Sequence, residues 1–197
     1  GLQWNNFDDG LQAKLMDSVR DNLKHFNAQD IANSLLALDQ MGLQWSHFDN
    51  GLQAKLLDSV RRNVVRFNAQ GIANSLLALD QMALRWSDFD AGLRSDLMGS
   101  VRRNVESFNA QEIANSLLAL DQMGLRWSHF DDGLRAKILD SVRRNVVRFN
   151  AQNIANSLLV LSRLRIDNDE ILELLINQVR RLDSFWLIHT NSILLSL

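Results

Sequence analysis

Between residues 48 and 64, the apolar side chains Phe48, Leu52, Leu56, Val60 and Val64 recur once per helical turn, with Gln53, Lys55, Asp58, Arg61 and Arg62 between them. This pattern predicts an amphipathic first helix running to about Arg66, with one buried stripe. Beyond Phe67 a second stripe begins, Ile72, Leu76 and Leu79 flanked by Ala73 and Leu77, which predicts a second helix to about Met82. Asn68 is the expected N-cap of that helix. Its opposite ridge carries Gly71, Asn74, Ala78 and Gln81, one turn apart. Ser46 followed three residues later by Asp49 predicts a capping box at the start of the first helix, with equivalents Asn5/Asp8, Ser87/Asp90 and Ser128/Asp131. Gly51 interrupts the early part of this helix, as do Gly10, Gly92 and Gly133. Either the helix begins after the glycine or the glycine admits a neighbouring helix. Two helices joined by a tight turn make a helix hairpin.

The pattern repeats. The string Phe-Asn-Ala-Gln-x-Ile-Ala-Asn-Ser-Leu-Leu begins at Phe26, Phe67, Phe108 and Phe149, always 41 residues apart, and Trp4, Trp45, Trp86 and Trp127 keep the same interval. A fixed period of this length predicts an all-α superhelical solenoid of tandem 41-residue helix-hairpin repeats, each unit completing its neighbour's core. Residues 1–165 hold four units, about 2–42, 43–83, 84–124 and 125–165. Residues 166–197 read as a degenerate fifth repeat acting as a C-terminal cap: 169–183 as a first helix, in which Val179-Arg180-Arg181 echoes Val142-Arg143-Arg144, and 184–197 as a shortened second helix. Each first helix is expected to pack on its own second helix and on the next unit, with the tryptophans as inter-unit core.

Composition narrows the function. The 197 residues are 46% hydrophobic and 22% charged, with no cysteine, no proline and a net charge of −2. Disulfides and thiolate metal sites are excluded, and nothing points to secretion. No apolar run approaches the roughly 20 residues that span a bilayer, so neither a membrane anchor nor a membrane partner is expected and the location expected is intracellular. His25, His47, His129 and His189 lack metal-ligand spacing, and no glycine-rich phosphate loop or separate Ser/His/Asp set occurs. The expectation is a non-enzyme without metal, cofactor or small-molecule substrate, because nearly every polar residue is copied from unit to unit and none converges on a unique pocket.

The second-helix string from Phe26 to Leu38, preceded by a tryptophan leading into the first helix, resembles the octotricopeptide repeat. The tryptophan that family carries near Leu36, Leu77, Leu118 and Leu159, and its proline at Ala28, Ala69, Ala110 and Ala151, are absent. The resemblance implies stacked helix pairs that bind single-stranded RNA sequence-specifically. Related arrays in bacterial effectors imply the alternative, a protein-protein interaction scaffold.

Columns of equivalent residues supply the candidate sites. One position differs in every unit: Asp30, Gly71, Glu112 and Asn153, beside the constant Asn33, Asn74, Asn115 and Asn156. As a pair they could touch bases. The variable position is equally a favoured acidic site in a first helical turn, and the constant asparagines could instead form a ladder to backbone between repeats. Arg20, Arg61, Arg62, Arg102, Arg103, Arg143 and Arg144, extended by Lys24, Arg66 and Arg148, suit phosphates, or simply complement the dipole at first-helix ends. Asp8, Asp9, Asp49, Asp90, Asp131 and Asp132 would make the opposite edge acidic. Asp39, Asp80 and Asp121 lie near second-helix ends, and Arg85 and Arg126 are the expected partners of the latter two.

Overall fold

The computed structural model describes residues 3–163, 166 and 168–182. First helices of 14 residues alternate with second helices of 13: α1 (Asp9–Asn22), α2 (Ala28–Gln40), α3 (Asn50–Asn63), α4 (Ala69–Gln81), α5 (Ala91–Asn104), α6 (Ala110–Gln122), α7 (Asp132–Asn145) and α8 (Ala151–Arg163). α9 (Asp169–Arg181) follows, and no strand occurs among the described residues. The chain is an all-α helical solenoid. Residues 183–197, which include the predicted second helix of the fifth unit, lie outside the described residues.

The helix starts are built differently from the capping boxes expected at Ser46 and its equivalents. Ser46 lies inside a short 3-10 turn, Trp45–His47, and Asp49 is itself the N-cap of α3, its Oδ1 accepting from the Leu52 N–H at 3.0 Å. Asp8, Asp90 and Asp131 do the same for Leu11, Leu93 and Leu134. The glycine lies within the helix just after this cap, so the helix does not begin after it. A Cβ on Gly51 would stand 3.1 Å from the Asp49 carboxylate, and Gly10, Gly92 and Gly133 face their own caps at 3.2–3.3 Å. A side chain here would press on the capping carboxylate and, at Gly133, would also stand 3.6 Å from the Arg102 guanidinium of the preceding first helix.

The first helix ends at Asn63, three residues short of the expected Arg66, and tightens into a 3-10 turn over Val64–Arg66. Asn68 caps α4 as expected, its Oδ1 accepting from the Gly71 N–H at 2.7 Å. At the other end of the second helix the chain turns through a left-handed residue: Gly42 (φ 83°), Ala83 (φ 71°) and Gly124 (φ 99°). The N–H of the residue after each returns to a helix carbonyl, Leu43 to Leu38, Leu84 to Leu79 and Leu125 to Leu120, at 3.0–3.1 Å. This is the Schellman closure, and both leucines of every pair are buried.

Second helices pack directly on one another, α2 on α4, α4 on α6 and α6 on α8, forming one continuous layer. α3, α5 and α7 pack on the second helix of the preceding unit and on the 3-10 turn that ends that unit's first helix, rather than mainly on their own second helix as expected. The unit is tied to itself elsewhere: the backbone N–H groups of Trp4, Trp45 and Trp86 donate to Met41, Met82 and Met123 at 2.8–3.0 Å. The four tryptophans are half-buried against the core, and Trp45 and Trp86 stand edge-on to Phe48 and Phe89 at 5.7 Å. No described helix is long and apolar enough to cross a membrane.

Candidate binding surface

The arginines predicted to hold phosphate lie on the seams between units. Arg20 pairs with Asp49 of the next unit at 2.5 Å, Arg61 pairs with Asp90, and Arg102 with Asp131. Arg143 grips Glu170 through two bonds, 2.9 and 2.7 Å. Each acidic partner of the first three is the N-cap of a first helix. The basic and acidic edges expected on opposite sides therefore meet, because each first helix starts beside the end of the preceding one. The Arg20 guanidinium holds the Asp49 carboxyl below its usual range, Arg102 does so for Asp131, and for Asp90 the Leu93 N–H does so ahead of Arg61.

The second arginine of each pair reaches backwards. Arg62 donates to the Leu23 and Lys24 carbonyls at 3.3 and 3.2 Å, Arg103 to Val64 at 3.3 Å, and Arg144 to Glu106 at 3.3 Å. These carbonyls belong to the 3-10 turn of the preceding unit, whose last acceptors lack helical partners.

Sequence reasoning missed the asparagines deepest in this seam. Asn63 Nδ2 donates to the Phe26 carbonyl across the seam and to the Ser59 carbonyl in its own helix, both at 3.0 Å. Asn104 and Asn145 repeat the arrangement with Phe67 and Phe108 at 2.9 and 3.0 Å. In α9, Gln178 takes this part, donating to Val147 and Phe149 at 3.1 Å. An asparagine ladder thus exists, in a different column from Asn33, Asn74, Asn115 and Asn156. The available signal was the constancy of Asn22, Asn63, Asn104 and Asn145 at the end of an otherwise charged helix turn.

The constant asparagines of the second helices sit on the outward face of their layer. Among the described residues, the side-chain amides of Asn33, Asn74 and Asn115 have no hydrogen-bond partner, while Asn156 accepts from Gln152 at 3.2 Å. Gln29, Asn33, Gln70 and Asn74 line a cleft of about 630 Å³ between α2 and α4, together with Arg66 and Gly71. A smaller cleft of about 230 Å³ between α4 and α6 is lined by Gln70, Asn74, Gln111, Asn115 and Glu112.

The variable column occupies the third position of each second helix. Asp30, Glu112 and Asn153 accept from the backbone N–H of Asn27, Asn109 and Asn150 at 3.0, 2.8 and 3.2 Å, closing capping boxes. Asn153 is only 4% exposed. Gly71 makes no such bond and opens the larger cleft.

At the other end of the layer, Asp39, Asp80 and Asp121 are partly buried. Asp121 pairs with Arg163 at 2.8 Å, not with Arg126. The Gln81 amide, turned to donate, reaches Asp39 at 2.5 Å. Arg85 instead donates to the Gln122 carbonyl at 2.8 Å and forms no ion pair with Asp80. Burial pushes the Asp80 carboxyl up to about 6; Asp121 and Asp39 add to the rise and Arg85 and Arg163 oppose it.

A search of curated proteins finds no match to the chain. A family model matches four times, over residues 9–35, 49–76, 90–117 and 131–158. Each match spans a first helix, its 3-10 turn and the opening turns of the second helix. It therefore takes in the seam arginines and asparagines, the variable column and the cleft-lining amides. The matches cover more than half of the sequence, so the chain belongs to the family described as "Protein of unknown function (DUF1601)", here as a tandem array of helical units.

Proposed function

We propose that the array is a non-enzymatic binding scaffold whose ligand is a protein segment in extended conformation, held along the outward face of the second helices. The observation that carries this reading is the row Asn33, Asn74 and Asn115. These amides recur at the same place in adjoining units, face two clefts, and have no partner among the described residues. A carboxamide offers one acceptor and two donors, matching the N–H and C=O of a peptide group, and main-chain pairing is a recurrent way of holding extended segments. Gln29, Gln70 and Gln111 widen the row, and the half-buried Leu36, Leu77 and Leu118 supply apolar contact beside it.

Single-stranded RNA is the second reading. Arg66 at the larger cleft and the octotricopeptide likeness of the second-helix string favour it. The engagement of the arginine columns in seam contacts weighs the other way, since phosphate binding draws on unpaired cations.

The test pairs selection from a displayed random-peptide library with fluorescence anisotropy of labelled single-stranded RNA at about 50 and 200 mM salt. The peptide reading expects selected sequences to bind with little salt dependence. It also expects Asn74→Ala and Asn115→Ala to weaken them by roughly 3–10-fold each, as for loss of a hydrogen bond. RNA binding at the lower salt that falls steeply at the higher, and that Arg66→Ala diminishes, would replace it with the second reading.

A further inference from the structure

The cleft between α2 and α4 and the cleft between α4 and α6 are built on copies of one frame. Gln29, Asn33 and Asn68 at the first recur 41 residues on as Gln70, Asn74 and Asn109 at the second. The copies part at two positions. The first cleft has Arg66 and Gly71, where the next unit has Ser107 and Glu112.

Both differences change charge and room together. The cleft of about 630 Å³ is lined by one charged side chain, the exposed Arg66, and position 71 adds no bulk. The cleft of about 230 Å³ is lined by one charged side chain of the other sign, Glu112. Glu112 gives one carboxylate oxygen to the Asn109 N–H at 2.8 Å, which leaves the second oxygen for a ligand. Among the described residues, neither Arg66 nor Glu112 forms an ion pair. Asn74 lines both clefts, so a segment lying along the asparagine row passes from one to the other. Packed helices stand about 8–10 Å apart. A polyproline II segment advances about 3.1 Å per residue and returns to the same face every third residue. Side chains three residues apart on such a segment therefore address successive clefts.

On the basis of the peptide reading above, we infer that the two clefts are side-chain subsites of opposite charge preference. The first takes an acidic side chain of the bound segment and the second a basic one three residues away. Arg66 pairs with the ligand carboxylate, Gly71 leaves the space it occupies, and Glu112 pairs with the ligand cation. The asparagines hold the main chain in every unit alike, whereas these three residues set which segment is held.

The test selects peptides from one displayed random library on three proteins. The first is the original. The second carries Arg66→Ser with Gly71→Glu, which gives the first cleft the residues of the second. The third carries Ser107→Arg with Glu112→Gly, the reverse exchange. Each substitution installs a residue that the same frame already carries in a neighbouring unit. The original is expected to enrich one acidic and one basic residue three apart, the second protein two basic residues, and the third two acidic ones. Peptides selected on the original are expected to bind the second protein about tenfold more weakly or worse, because their carboxylate loses a cation and meets a like charge. Pools with the same charge pattern from all three proteins overturn the inference and leave the peptide reading standing. Selection of no peptide, with single-stranded RNA bound instead, removes that reading and the inference with it.

Discussion

Asn63 directs both amide hydrogens at carbonyls, one across the seam and one within its own helix, and its side chain is buried. Alanine at this position strands the Phe26 carbonyl, which costs about 1–3 kcal/mol. Asn22→Ala removes a bond to Ser18 alone, at an exposed site, and is expected to cost a few tenths. Urea unfolding of the two variants checks the contrast; equal losses would mean that the inter-unit bond contributes nothing. Ala83 poses a second question at this scale. It holds the left-handed position that Gly42 and Gly124 hold in neighbouring units, at φ 71°. An L side chain in this region is strained by about 1–2 kcal/mol, partly offset by the greater unfolded-state entropy of glycine. Ala83→Gly is therefore expected to stabilise the protein by about 0.5–1 kcal/mol, read as a higher urea midpoint at unchanged slope.

Among the elements, α4 starts less securely than α2 or α6. Asp30 and Glu112 close capping boxes with Asn27 and Asn109, whereas Gly71 leaves the Asn68 N–H without this partner. Gly71→Glu supplies the missing acceptor and removes a helical glycine, together about 1 kcal/mol. A Cβ at this position would stand 3.1 Å from Asn68 Oδ1, the same cap oxygen beside which Asp30 and Glu112 already fit in their own units. Thermal unfolding should show the gain, and the larger cleft should take on the acidic lining of the smaller. The helices themselves were legible in the sequence. Apolar residues four apart, the asparagine caps and the 41-residue period placed eight of them, because burial stripes and caps are local signals. Helix ends were less legible: Val64–Arg66 keeps the apolar spacing of a helix while its backbone tightens into a 3-10 turn. What the arginines hold was not legible, and Asn63 signalled its part only by its constancy from unit to unit. Their partners across the seams lie 27–39 residues away, and seam geometry depends on a first helix docking on the preceding unit rather than on its own second helix.

Across the whole molecule, two sets of carboxylates respond to pH in opposite senses. Asp49, Asp90, Asp131 and Glu170 are held below their usual range by arginines and backbone N–H groups at the seams. Their contribution is present above the unfolded-state value and is lost as pH falls through the lower folded one. Asp80 is raised from 3.8 to about 6 by burial, with Asp39 and Asp121 raised for the same reason. Between about pH 4 and 6 the folded protein then binds more protons at Asp80 than the unfolded chain, so stability falls as pH rises through that window. Together the two sets put maximal stability at about pH 4, where the seam contribution is nearly complete and the Asp80 contribution is not yet lost. Urea midpoints measured from about pH 3 to 8 should trace this optimum. Asp80→Asn should raise the midpoint at neutral pH and flatten the alkaline limb while leaving the acid limb in place. Asp131→Asn keeps a competent cap, so it should lower stability at neutral pH and make the acid limb shallower. An Asp80→Asn protein with an unchanged alkaline limb would show that this carboxylate is solvated as well in the folded array as in the unfolded chain.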